Sequence, residues 1–288
     1  MERQFYQVDV FTSERFGGNP LAVFVDGDGI DGAIMQKIAR EMNLSETTFV
    51  LRPTSASAAV RLRIFTPGRE LPFAGHPTLG TAFVLHSHGR IRDERFTFEM
   101  PIGLVNVHKD GEAFWMEAPV PQGSQPVCRA ADAAQVLGLP AARCVQDPAV
   151  FGAGLHFLMV LLDSAAGVDA IAGVDRKALA SVTTAEVANG DILAFSYSDG
   201  RAYARMFAHP DSGIVEDPAT GSSVAPLCLA LSTYGVLEPA VTSIVVEQGV
   251  KMGRPSFLHA RFAHRGETVS NITVGGCSVP VLHGVLQL

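Results

Sequence analysis

A helix without a polar side has to be buried on every side, and this chain encodes two of them. In "GHPTLGTAFVLHSHG", Pro77 suits a first helical turn and Gly89 a C-terminal stop. Between them Leu79, Ala82, Phe83, Val84 and Leu85 leave no continuous polar stripe. In "GSSVAPLCLALSTYG", Pro226 would break an interior hydrogen bond, so the helix is expected to begin with Ser222 or Ser223 as its cap and to close at Gly235. Each helix calls for a surrounding shell of curved sheet.

The two helices sit in what reads as an internal duplication. Laying Arg63–Phe65 on Arg205–Phe207 gives an offset of 142 residues, which also places Gly75 on Asp217 and Thr78 on Thr220. A weaker echo pairs "GGNPLAVFVD" with "GLHFLMVLLD" at an offset of 137. Short apolar or alternating runs ("QVDVFT", "NPLAVFV", "VRLRIFT", "FTFEM", "AFWMEAPV") read as strands, and "DGAIMQKIAREMN" places Ile34, Ile38 and Met42 at helical spacing with Asn43 as a stop. After the Pro-rich passage Pro119–Cys128, taken as a linker, the pattern starts again. The expectation is an α+β chain of two pseudo-symmetric lobes, residues 1–118 and 119–277, with a final strand at about 278–288 able to cross back to the first, and a cleft between the lobes.

Charge and cysteine usage narrow the function. Lys+Arg number 22 against 29 Asp+Glu, a net charge of -7 without a basic run, so nucleic acid is not an expected partner. The longest apolar run, Phe157–Leu162, is too short for a bilayer, and the chain reads as soluble, unprocessed and cytoplasmic. Cys128, Cys144, Cys228 and Cys277 lack C-x-x-C spacing, and His86 and His88 do not share a helical face, so no metal is expected.

The helix starts are where chemistry is expected. The first N–H groups of a buried helix are unpaired and carry a positive end charge of roughly half an elementary unit. Gly75-His76 and Gly221-Ser222-Ser223 offer small side chains there, so a ligand carboxylate can reach the backbone donors. The competing reading is that Asp217 and the serines simply cap their own helix. In "NLSETTFV", Glu46 shares a half-apolar strand face; burial would raise its pKa toward neutrality and fit it for moving protons, whereas an exposed strand glutamate would do nothing.

At these residues the sequence resembles the PhzF family of phenazine-biosynthesis proteins, which share the fold of diaminopimelate epimerase. The matching stretches are "VDVFTSERFGGNPLAVFVD", "LSETTFV", "FTPGRELPFAGHPTLGTAFVL", "EDPATGSSVAPLCLAL" and "EQGVKMGRPSFLHARF". The resemblance implies two lobes, each a barrel-like sheet around a central helix, with the active site where the helix N-termini face each other. It implies Glu46 as general acid/base in a double-bond isomerisation of a cyclic amino acid, with His76, Asp217 and Ser222 assisting. It also implies a homodimer. The epimerase relatives use two cysteines at positions that here hold Gly75 and Asp217, which disfavours two-thiol racemisation. One base in fixed geometry suffices for such a proton shift, so no cofactor is expected. Gln248-Gly249 and "GRPS" read as turn residues. Two other readings compete: a serine hydrolase built from Ser222, His76 and Asp217, and a catalytically silent binding protein on the same scaffold.

Overall fold

The computed structural model describes residues 2–266 and 268–288. Among them, eighteen strands form one continuous curved sheet, which winds as two similar halves around the helices Gly75–Ser87 and Gly221–Thr233. In space the first half runs through strands Ser278–Gln287, Glu2–Val10, Asn19–Phe24, Glu46–Leu51, Val60–Phe65, Arg95–Met100, Gly103–Asp110 and Ala113–Glu117. The second runs through Gln122–Pro126, Ala149–Ala153, Leu155–Leu161, Asp191–Ser198, Arg201–Phe207, Ser243–Gln248, Ser256–Arg265 and Thr268–Gly276. The two orders match strand for strand. In each, the third and fourth strands pair in parallel, as do the fifth and sixth, and the remaining neighbours are antiparallel.

Parallel neighbours need a long crossover. The second crossover of each half is the central helix, enclosed by the sheet, and its residues are buried all round from Leu79 to Leu85, Phe83 excepted, and from Gly221 to Cys228. The first crossover lies outside. In the first half it is the amphipathic helix Gly32–Met42, capped by Asp31 and stopped by Asn43 in the left-handed region. Its buried side is Met35, Ile38 and Ala39, while Ile34 is exposed, so the expected stripe is turned by one residue.

The halves are stitched by three strand pairings. Ala113–Glu117 runs antiparallel to Thr268–Gly276, and each half ends by sending a strand into the other: Gln122–Pro126 joins Ala149–Ala153, and Ser278–Gln287 joins Glu2–Val10. The Pro-rich passage taken as a linker is thus partly a strand. Among the described residues no helix is long and apolar enough to cross a membrane.

The internal repeat corrects the register read from the sequence. Arg63 forms a two-pronged pair with Glu70 and lies over Phe65; Arg205 does the same with Glu216 and lies over Phe207. The strand offset of 142 therefore holds, but the turn Pro210–Ser212 lengthens the second copy by four residues. The ladders match Ile64↔Leu71 with Met206↔Asp217, so the counterpart of Asp217 is Leu71, and the helix that starts at Gly75 corresponds to the one that starts at Gly221.

Candidate active site at the helix tips

The two central helices meet end to end. A methyl group built on Gly75 would lie 2.6 Å from the Gly221 Cα, so only glycine lets the backbones come this close. Neither helix has a side-chain cap: Ala74 and Thr220 occupy the cap positions without bonding the first turn. The second helix thus begins at Gly221 rather than behind a serine cap, with Pro226 in its interior. The reading of Asp217 and the serines as caps fails. The Ser223 N–H is taken by the Thr220 carbonyl and Pro77 has none, but the N–H groups of Gly75, His76, Gly221 and Ser222 have no partner among the described residues and can meet an anion from both helices.

Glu46 begins its strand, which runs beside Asn19–Phe24, and this places its carboxylate above the tips. The carboxylate Oε2 and the Nε2 of His76 approach to 3.3 Å but without hydrogen-bond geometry, and both atoms are buried with no bonding partner among the described residues. Burial first, then the charges of Asp217 and Asp191, hold the Glu46 pKa well above that of an ordinary glutamate. Burial lowers His76 to about 3, against a weaker opposing contribution from the Pro20 carbonyl. The imidazole is therefore neutral at any working pH.

Asp217 shows how an ionised carboxylate survives in the same pocket. Burial raises it to about 6, opposed by hydrogen bonds from Thr220, Asn19 and Ser45. Thr220 Oγ1 donates to one oxygen at 2.6 Å and Asn19 Nδ2 to the other at 2.8 Å. Asn19 Nδ2 also reaches the Ala219 carbonyl at 2.9 Å and His76 Nδ1 at 3.1 Å. The Asn19 amide carries two N–H groups; the shorter bonds to Asp217 and Ala219 take them, and His76 Nδ1 is a third, more distant neighbour.

Glu46, Gly75, His76, Asp217, Gly221 and Ser222 all line one cavity. Ser223 does not: it is buried and its hydroxyl donates to the Thr220 carbonyl at 2.8 Å. Two residues escaped the sequence reading. Asn19 was visible only as part of "GGNP", and Gln248 was taken for a turn residue. Gln248 Nε2 donates to the Asp217 carbonyl at 2.7 Å and to Thr220 Oγ1 at 3.0 Å, fixing the turn that carries the carboxylate. Arg254, from "GRPS", clamps the Gly17 and Gly18 carbonyls just before Asn19 while pairing with Asp9. Among the described residues no three His, Cys, Asp or Glu side chains gather as a metal site.

Residues 8–284 match the phenazine biosynthesis-like protein family, PhzC-PhzF. The chain belongs to this family. A curated relative, the trans-2,3-dihydro-3-hydroxyanthranilate isomerase of Pseudomonas aeruginosa, is 39% identical over 95% of each chain. Among solved structures, a PhzF-family phenazine biosynthesis protein of Bacillus anthracis superposes over 100% of both chains with a TM-score of 0.87 at 23% identity. A hydroxyproline epimerase from Agrobacterium vitis, crystallised with trans-4-hydroxy-L-proline, shares the fold alone: TM-score 0.67, 12% identity, 99% of this chain and 92% of its own. The chain is accordingly an isomerase on a PhzF and epimerase-like fold.

Proposed function

We propose that this PhzF-family isomerase shifts a proton and a double bond within a small cyclic, amino-acid-like carboxylate, without a cofactor, using Glu46 as the acid/base group. One observation carries the reading: Glu46, one carboxylate oxygen of which has no hydrogen-bond partner among the described residues, lines the cavity at two helix starts without side-chain caps, beside a neutral His76. The substrate carboxylate would bind the N–H groups of the tips and, near neutral pH, Glu46 would exchange protons with a carbon made acidic by conjugation. One C–H bond breaks, its electron pair forms the new double bond, and the far carbon of the old double bond takes up a proton, so nothing is oxidised or reduced. The neutral imidazole of His76 would hydrogen-bond the substrate, and Asp217 would fix the polar substituents. The relative that acts on trans-2,3-dihydro-3-hydroxyanthranilate, a cyclic compound with a carboxylate, an amine and a hydroxyl, supports this substrate class.

The serine-hydrolase alternative finds no support in the geometry. Both ring nitrogens of His76 face other groups, Asn19 and Glu46, and the Asp217 oxygens bond Asn19 and Thr220, so no triad forms on Ser222. The test is isomerisation of trans-2,3-dihydro-3-hydroxyanthranilate, followed by NMR. Glu46→Gln is expected to reduce the rate by about 10²–10⁴-fold. A variant that isomerises at the parental rate rejects the assignment.

A further inference from the structure

The repeat places a second carboxylate where the first half has Glu46. Leu21↔Glu46 and Phe157↔Asp191 are the first rungs of the two matching parallel ladders. Two residues further on, Thr48↔Ile64 and Leu193↔Met206 are matching rungs, and Ile64 and Met206 are the central residues of the repeated Arg-x-Phe segments. Asp191 is therefore the structural twin of Glu46 on the other half. Like its twin it begins its strand and lines the same cavity. One of its oxygens, Oδ1, accepts the His209 N–H at 2.6 Å; Oδ2 has no hydrogen-bond partner among the described residues.

The size of the chamber brings a substrate to this residue. The space at the tips is about 50 Å³, room for a few waters but not for a ring that bears substituents. It adjoins an outer groove of about 540 Å³, and the residues common to both linings are Arg69, Leu155 and Asp191. A ring whose carboxylate sits at the tips has to extend along this threshold, between Glu46 and Asp191.

We propose that Asp191 is a second catalytic acid/base group, working from the opposite half of the molecule, so that one carboxylate takes a proton from the substrate and the other delivers one. This rests on the proton-transfer reading given above and extends it from one group to two. The charged neighbours divide the roles. Burial raises the Asp191 pKa, but the His209 N–H and the nearby positive charges of Arg69, His209 and Arg176 oppose it; burial raises Glu46 further, and the charges of Asp217 and Asp191 add to that rise instead of opposing it. At rest Asp191 is the base and Glu46 the acid. Asp191 gains the proton that leaves one carbon, Glu46 gives its proton to the other, and the two reset by exchange with water.

The experiment is isomerisation of trans-2,3-dihydro-3-hydroxyanthranilate in deuterium oxide, with product and recovered substrate analysed by mass spectrometry. Two groups predict that the product carries one solvent deuterium from the first turnover. Asp191→Asn should lower kcat at least tenfold with KM changed less than threefold. Glu46→Gln should slow isomerisation by about 10²–10⁴-fold yet still wash deuterium into recovered substrate, because the base remains. An Asp191→Asn protein with parental kcat, or a Glu46→Gln protein without exchange, overturns the inference and leaves Glu46 as the lone shuttle. Isomerisation at the parental rate by Glu46→Gln instead overturns the function itself. A measurement independent of turnover is isotope-edited infrared titration of Glu46. Its pKa should fall in Asp191→Asn, which removes a negative charge that raises it, and an unchanged titration counts against the pairing.

Discussion

Asn19 shows how much of the site rests on one uncharged side chain. Its amide nitrogen donates to Asp217 and to the Ala219 carbonyl and lies 3.1 Å from His76 Nδ1, and so joins the first half to the turn before the second central helix. Replacement by Leu, close in size, would leave a buried carboxylate and a buried carbonyl each short of a donor. Asn19→Leu is expected to cost about 1–3 kcal/mol in denaturant unfolding. It should also raise the pKa of Asp217, read by isotope-edited infrared titration, because the carboxylate loses a bond that holds it ionised. Glu46 adds a stability signature. Its folded pKa lies above its unfolded one, so the parent is at full relative stability below about pH 4.5 and loses stability as pH rises from there toward the folded pKa. His76, depressed to about 3, runs the other way: its contribution is present above the unfolded value and is lost as pH falls from about 6.5. Glu46→Gln removes only the first effect. Its Tm should match the parent's near pH 4.5 and exceed it progressively by pH 7; a gap that stays constant or narrows would contradict the buried, proton-holding Glu46.

The central helices carry the anion site through their placement, and the contact of Gly75 with Gly221 sets that placement. Gly75→Ala would force the tips apart, since its methyl group would overlap the Gly221 backbone. The affinity for 3-hydroxyanthranilate, an aromatic carboxylate that cannot isomerise by this route, should fall at least tenfold by calorimetry. Gly173→Ala, where nothing lies within 4 Å, should leave it unchanged. Equal affinities in both variants would move the anion site away from the tips. These helices were legible in the sequence because an apolar run without a polar face has few places to go, and Glu46 and His76 because their motifs flank such a run. What stayed hidden was set by distant partners. Asn19 and Gln248 are ordinary polar residues until the fold brings them to Asp217 from separate strands. The register of the repeat was misread past Phe207 because four extra residues in a turn leave no trace in hydrophobic period, only in which strands pair. With that register wrong, Asp191 could not be recognised as the partner of Glu46.

At the scale of the molecule, neither half is self-contained, and this bears on how the protein unfolds. Strand Ser278–Gln287 follows the second half in sequence but covers Glu2–Val10, whose Val8 and Val10 pack against the first central helix at Gly80. The strand pair Trp115↔Gly275 joins the halves directly, with the indole so close to Gly275 that no side chain fits there. One apolar cluster runs through both halves, from Val8 and Leu79 to Leu227 and Val274. Opening either half therefore uncovers the other, and the full chain should unfold in a single transition in which emission of the sole tryptophan, Trp115, coincides with far-UV circular dichroism. Removing residues 278–288 leaves Glu2–Val10 with an unpaired edge and takes one wall from the first barrel. Both probes should then shift down together by roughly 10 °C or more, given that each 1 kcal/mol moves Tm by about 2–4 °C in chains of this size class. Hydrogen exchange separates this from local fraying: amides of Gly221–Thr233, far along the chain from the cut in sequence contacts of the first half, should lose protection with those of Gly75–Ser87. Full protection retained in the second helix alone would mean that the two halves fold as independent units and that the crossed strands are ornament on each.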